Sequence, residues 1–344
     1  MTLRKFLPLF AAFLCSLFIT IGCGQAPNIA TPPNGDNNAD PIVIGYSNWA
    51  GWWPWAIAEE EGLFAANGAN VQLKWFDGYL DSMNAFAAGQ LDGNCQTLND
   101  TISFAADAVN GEVVVLVNDN SAGNDKIIVK QDINTVEDLV GKQVAVEEGV
   151  VGDFLLTLAL EEKGLKREDV VIVPLETGAA TAAFAAGKVD AVGAFPPYWL
   201  TALEREGSKE LINSAAFPGA IPDLLVVSQQ LIDTQPDQVQ ALVNTWFDIL
   251  AFMDANPQRA DEIMAKQAGV TIDQLQLLKQ GTRFFTLAEN LEAFSPGNNM
   301  KHMPFAAEKM SKFMVDVGFI PEGPDLTQLF NDSFVKTYAQ SQSQ

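Results

Sequence analysis

A repeat constrains this chain more than any other feature. Residues 84–92 read NAFAAGQLD and residues 182–190 read AAFAAGKVD, so one nine-residue pattern returns 98 positions later. That spacing exceeds the roughly 20–50-residue period of solenoids and propellers, so it marks a duplicated lobe. The match extends upstream. Glu60-Glu61-Gly62-Leu63 corresponds to Glu162-Lys163-Gly164-Leu165, each followed by a β-rich run, 71–76 and 170–175. Further upstream, IVIGY at 42–46 corresponds to QVAVE at 143–147. Each half reads as strand, turn and helix in succession, its helices ending at a glycine that tolerates positive φ. Short Val/Ile-rich strands alternating with helical segments imply parallel βαβ units, hence an α/β fold. Ligands of such sheets lie beyond the carboxyl ends of the strands, and two facing lobes make a cleft there.

The halves need connections. Strand-like runs at 112–118, 126–130 and 224–228 predict two segments crossing between lobes, near Gly123 and Asp223. The first lobe is expected to hold 41–124 and 226–344, the second 125–225. Pro236 and Pro257 open helices predicted to run through Met253 and Gln267, with more at 272–280, 286–292 and 303–317. Their Phe, Leu and Met positions read as core.

The first residues read as an address. Arg4 and Lys5 precede an uncharged apolar run from Phe6 to Gly22, the pattern of a secretory signal over 1–22. Thr20-Ile21-Gly22-Cys23 resembles a bacterial lipobox, which predicts cleavage before Cys23 and lipidation of its thiol, with a plain signal peptide as the other reading. Residues 23–40 are Pro-, Asn- and Gly-rich and read as a flexible spacer behind that anchor. Cys95 is then left without a partner, so no disulfide is expected.

Charge and rare residues remove other classes. The 43 acidic and 20 basic residues of the 344 give a formal net charge of −23, which repels phosphate backbones and argues against nucleic acid as a partner. A single histidine, His302, lies far from the predicted turns and cannot supply a His-based metal cage or an obvious catalytic base. No catalytic residue, metal or cofactor is expected.

Together IAEEEGLF at 57–64, FAAGQLD at 86–92, TVEDLVGKQVAV at 135–146 and VDA at 189–191 make the chain resemble the substrate-binding proteins of ABC importers. The similar branch, NMT1-like, includes nitrate, aliphatic sulfonate, taurine and pyrimidine-precursor binders, and the resemblance spans about 41–320. It implies a type II periplasmic-binding-protein fold, two α/β lobes on a two-segment hinge that close on a ligand. It also implies capture without catalysis on the periplasmic side of a bacterial membrane, delivery to a permease and its ATPase, and a monomer. An enzyme built on this fold, using its own histidine in pyrimidine synthesis, is the poor third choice.

The repeat alignment puts six turns at the cleft: 46–55, 77–81, 97–101, 147–153, 176–179 and 195–199. They carry Asp77, Asp81, Asp100, Glu147, Glu148, Asp153 and Glu176 but no Lys or Arg. Asp100 and Asp153 also sit where a helix start takes an acceptor, so capping reads as well as ligation. In sulfonate-type relatives the turn aligned with 147–152 is small and hydroxyl-bearing; here it is EEGVVG, and two carboxylates there repel an anion. Four of the seven tryptophans, Trp49, Trp52, Trp53 and Trp55, crowd the first turn, and Phe195 and Tyr198 lie by another. Aromatic faces attract cations, and carboxylates bind planar N–H donors bidentately. The expected ligand is a guanidinium-like cation, as in guanidine or urea-type nitrogen uptake, held by Trp49, Trp52, Trp53, Asp77, Asp81, Asn99, Asp100, Glu147, Glu148, Asp153, Glu176, Phe195, Tyr198 and Asp223. The alternatives are nitrate, an aliphatic sulfonate or taurine, or a thiamine-pyrimidine precursor. A calcium or other metal site needs more convergent oxygens than the sequence displays.

Overall fold

The computed structural model describes residues 40–342. The expected signal peptide, the lipidation at Cys23 and the spacer through 39 lie outside the described residues. The first pass of the chain runs β1 (Ile42–Tyr46), α1 (Trp55–Glu60), α2 (Leu63–Ala66), β2 (Val71–Trp75), α3 (Tyr79–Ala87), β3 (Gly93–Thr97), α4 (Leu98–Phe104) and β4 (Val113–Ser121). It then crosses into β5 (Lys126–Val129), β6 (Gln143–Val146), α5 (Val151–Glu162), β7 (Val171–Pro174), α6 (Thr177–Ala185), β8 (Ala191–Ala194), α7 (Tyr198–Leu203) and β9 (Lys209–Asn213). The return comprises β10 (Pro222–Val227), α8 (Gln229–Thr234), α9 (Pro236–Ala255), α10 (Pro257–Ala268), α11 (Ile272–Lys279), β11 (Thr282–Phe284), α12 (Leu287–Phe294), α13 (Met303–Asp316) and α14 (Ser333–Ser341).

Two sheets result, ordered β11-β4-β10-β3-β1-β2 and β7-β6-β8-β5-β9. In the first, β1 pairs parallel with β2 and β3; in the second, β6 pairs parallel with β7 and β8. Each parallel trio is flanked by one antiparallel strand arriving from a crossing, β10 beside β3 and β5 beside β8. The repeat is therefore visible in strand order as well as in sequence.

The repeated aspartate has the same task in both lobes. Asp92 accepts the backbone N–H of Val43 at 2.8 Å, and Asp190 accepts that of Gln143 at 3.0 Å, each tying a helix-to-strand turn to the lobe's first strand. Gly89 and Gly187 just before them adopt φ of 71° and 74°, a left-handed turn that a side chain disfavours. Phe86 and Phe184 of the same motif are buried.

The helices of the return pack on the first lobe. Trp246 of α9 lies 4.9 Å from Trp55, and Arg259 of α10 pairs with Glu60 and Glu61 at the end of α1. Met303, Met310 and Met314 of α13 are buried, as an apolar helical stripe requires. Asn290 of α12 exchanges two bonds with Val117 of β4, at 2.9 and 3.0 Å, acting as an extra strand position. The sequence reading contains neither β11 nor α14. β11 has three residues and gains its strand character by pairing with the end of β4, a long-range contact that local pattern does not encode. Among the described residues no helix is long and apolar enough to cross a membrane.

Candidate functional site

The carboxyl ends of the strands converge on a small cavity between the sheets. The turn after β1 supplies Asn48, Trp49 and Trp52, α3 begins with Tyr79, β3 ends on Thr97, and Asp223 lies at the start of β10. Asp125 comes from the first crossing, Val151 opens α5, and Phe195 follows β8. The room inside is about 10 Å³, roughly what a single water needs. A ligand larger than a water enters only when these walls move apart. A wider depression of about 590 Å³ lies beside the crossings, lined by residues such as Asn120, Ser214, Phe285, Met300 and Arg283. It has none of the buried carboxylates described next.

Asp119 and Asp223 face each other across the β4–β10 ladder as register partners. Both are buried, as is Asp125. Trp49 donates its indole N–H to Asp119 Oδ1 at 3.0 Å. The Oδ2 atoms of Asp119, Asp125 and Asp223 receive no hydrogen bond from a donor among the described residues. Lys126 follows Asp125 but is engaged with Glu210 at 2.5 Å and lies over the Trp199 ring.

Burial with no counter-charge disfavours ionisation. It pushes the Asp125 carboxyl up to about 7, eased by Ser121 and Lys126. Burial raises Asp119 and Asp223 further, Asp125 raising both by its charge and Asp119 raising Asp223 as well. Asp100 is also raised to about 7 by burial, against opposing bonds from Thr97 and Tyr79. Asp125 and Asp223 of this group line the cavity, and Asp119 and Asp100 are close enough to raise Asp223 by their charge.

Aromatic rings wall the cavity. Trp52 and Tyr79 have centroids 5.5 Å apart, and Tyr79 meets Phe195 of the other lobe edge-on at 6.4 Å. Phe195 in turn packs on Tyr198 at 5.6 Å. The Tyr79 hydroxyl accepts the Thr97 N–H at 3.0 Å, which holds its ring in place.

The structure distributes the sequence-derived candidates over three environments. Trp49, Trp52, Phe195 and Asp223 line the cavity. Asn99 and Asp100 lie just behind it, joined by a 2.6 Å bond, with Asp100 also accepting the Thr97 hydroxyl at 2.7 Å. The remainder occupy the rim or the core. Glu147 accepts Leu80 N–H and the Thr177 hydroxyl, and Tyr198 accepts from Asn48 at 3.0 Å while donating to the Asp77 carbonyl at 3.2 Å. Asp77 also accepts the Trp75 indole at 2.9 Å, and Glu176 caps α6 through Gly178 and Ala179. Asp81 lies at the rim beside Glu147, Glu148 and Glu176. Glu148 and Asp153 are both bound by Arg167 at 2.8 Å, a cation from beyond α5 that a count of turn residues cannot see. Trp53 is fully buried beside the cavity and donates to Asn48 at 3.4 Å.

Sequence reasoning missed Asp119, Asp125, Asn48, Tyr79, Thr97 and Val151. For Asp119 a signal exists: the valine run of β4 ends in Asn118-Asp119-Asn120, polar residues in a strand with every position buried. Among the described residues no cluster of His, Cys, Asp or Glu has the arrangement of a metal site.

A family model described as the NMT1-like family matches residues 35–268. The chain belongs to the NMT1-like family. One relative, a binding protein of Brucella abortus (strain 2308), is 29% identical over 231 residues, covering 66% of this chain and 71% of that one. The taurine-binding periplasmic protein of Escherichia coli (strain K12) is 26% identical over 295 residues, covering 82% and 89% respectively. Among solved structures, the periplasmic aliphatic sulphonate binding protein SsuA from Escherichia coli superposes with a TM-score of 0.68 at 20% identity, over 86% of this chain and 94% of that one. This NMT1-like chain thus has the two-lobed α/β fold of periplasmic binding proteins, with the acid cluster at the base of its cleft.

Proposed function

We propose that this chain is the solute-binding component of an ABC importer and that its ligand is a small, planar, guanidinium-like cation. The observation carrying this reading is the pair Asp125 and Asp223, buried at 3% and 1% exposure, lining an aromatic cavity, with Asp119 at 0% exposure as the register partner of Asp223. A guanidinium ion offers in-plane N–H donors to carboxylates and flat faces to indole and phenol rings. A sulfonate or nitrate oxygen about 4 Å from one such carboxylate meets roughly 4 kcal/mol of repulsion at an effective dielectric near 20. In this reading the lipid on Cys23 tethers a monomer outside the cytoplasmic membrane, and the loaded, closed form delivers its cation to a permease driven by an ATPase.

A second reading keeps the importer role with a taurine-, sulfonate- or nitrate-like ligand or a pyrimidine precursor. The taurine-binding relative supports it, as does Trp52 Nε1, a buried donor without an acceptor that would suit a ligand oxygen. A thermal-shift panel decides between them. A ligand at 100 times its Kd adds about 2.7 kcal/mol of stability. Guanidinium chloride at low millimolar concentration should raise Tm where equal sodium chloride, nitrate, taurine and alkanesulfonates do not. A shift with taurine or a sulfonate and none with guanidinium would overturn the cation reading.

A further inference from the structure

We infer that ligand capture by this cleft is a cation-for-proton exchange at the Asp119–Asp223 pair. The inference rests on the cation reading above and adds its chemistry. The two residues are register partners on β4 and β10, the strands that flank the two crossings, so their carboxyls are held together by backbone pairing. Both are buried, and neither Oδ2 has a donor from another residue. Two ionised carboxylates in that position have no hydrogen between them, whereas one shared proton joins them.

The neighbours leave the pair no other counter-ion. Asp125 from the crossing and Asp100 from α4 add negative charge. Cys95 of β3 and Tyr79 of α3 have their ionisation suppressed by burial and contribute no cation. Lys126 of β5 is bound to Glu210, and Arg283 of β11 is paired with Glu289 and lies over Phe285. From the β1 turn comes only the neutral indole of Trp49. Glu147, which faces Asp100 from the opposite lobe, is negative or neutral.

The charges balance in a single step. The unliganded pair is one carboxylic acid and one carboxylate, with charge −1. When the cation enters, the O–H bond of the acid breaks, its proton passes to bulk water or buffer, and N–H donors of the ligand bond to the oxygens it leaves. Two carboxylates and one monovalent cation again sum to −1. The buried charge stays at −1, so the exchange adds no further net ion to desolvate. A neutral isostere such as urea cannot displace the proton by charge.

Calorimetric titration of the full chain with guanidinium chloride at pH 7, in buffers of different ionisation enthalpy, measures the protons released. About one proton per cation is expected, with affinity tightening up to tenfold per pH unit between pH 6 and 7. Asp119→Asn should abolish most of that release, and Asp223→Asn serves if the first variant does not fold. Asp125→Asn should retain the release. Tight binding with no buffer-dependent heat overturns the exchange and leaves the cation reading standing. Release that persists in Asp119→Asn and Asp223→Asn but vanishes in Asp125→Asn overturns the assignment to this pair. Absence of binding overturns both readings.

Discussion

Glu147 joins the two lobes through Leu80: its Oε1 accepts the Leu80 backbone N–H at 2.9 Å, while its Oε2 accepts the Thr177 hydroxyl at 2.8 Å. Leu80 lies in the first turn of α3, whose N-cap is Gly78 and has no side chain to offer. One lobe therefore supplies the acceptor that the other lobe's helix start lacks. The bond spans the cleft between the lobes.

Glu147→Ala should consequently weaken closure rather than folding. Losing a helix cap costs about 1 kcal/mol, equivalent to roughly a fivefold loss of apparent affinity when the lost contact belongs to the closed state. Glu147→Gln keeps an acceptor for Leu80 and should lose less. Titration calorimetry of both variants is the check, with Tm of the unliganded protein as control. Equal losses in the two would show that the charge itself touches the ligand.

The buried acids set an unusual pH dependence for the unliganded protein. In an unfolded chain aspartates ionise near pH 3.9, whereas burial holds Asp125 and Asp100 near 7 and the Asp119–Asp223 pair well above the usual range. From about pH 4 to pH 7 and beyond, the unfolded chain therefore binds fewer protons than the folded one, and stability falls as pH rises. Asp138 and Asp190, whose carboxyls are lowered, act the other way, losing their contribution only as pH falls below about 4. Urea melts should give a higher midpoint at pH 5 than at pH 8. Asp125→Asn should flatten that difference, and saturating guanidinium should reverse part of it. A midpoint that rises with pH would refute the uncompensated acid cluster.

The sequence showed the scaffold better than the site, for physical reasons. The repeat revealed both lobes because the same turn, Gly89-to-Asp92 and Gly187-to-Asp190, does the same local job twice. Trp49, Trp52 and Phe195 followed from the rule that ligands lie at strand ends, and Asp223 from its place at a predicted crossing. Asp119 was hidden because its partner Asp223 returns on an antiparallel strand about a hundred residues later. Asp153, for which capping read as well as ligation, accepts the Gly149 N–H and is bound by Arg167, which approaches from outside the turns. Charge counts along a chain cannot show which carboxylates have found a partner.

Gly51 lets the tryptophan turn approach the acid cluster. A Cβ at this position would lie 1.8 Å from Asp119 Oδ2. Gly51→Ala must therefore push the Asp119 carboxylate or the turn aside, and overpacking of this kind costs about 1–3 kcal/mol. Because Asp119 lies at the base of the cleft, guanidinium binding should fall at least tenfold while far-UV circular dichroism stays unchanged. Normal binding by a folded Gly51→Ala protein would remove Asp119 from the ligand shell.

Trp49 and Trp53, four residues apart, should separate binding from packing. Trp49 lines the cavity and gives its indole N–H to Asp119, whereas Trp53 is fully buried beside it. Trp49→Phe keeps an aromatic ring but removes the donor, leaving a buried acceptor whose loss of partner costs about 1–3 kcal/mol. It also replaces the strongest cation-attracting ring by a weaker one. Guanidinium affinity should fall roughly tenfold or more, with a modest change in Tm. Trp53→Phe opens a void in the lobe, so Tm should drop by several degrees, as a loss of about 1–3 kcal/mol requires, while affinity stays within about twofold. Calorimetry and thermal melts on the two variants test the contrast. If Trp53→Phe loses affinity and Trp49→Phe does not, the cation is held by the other side of the tryptophan cluster.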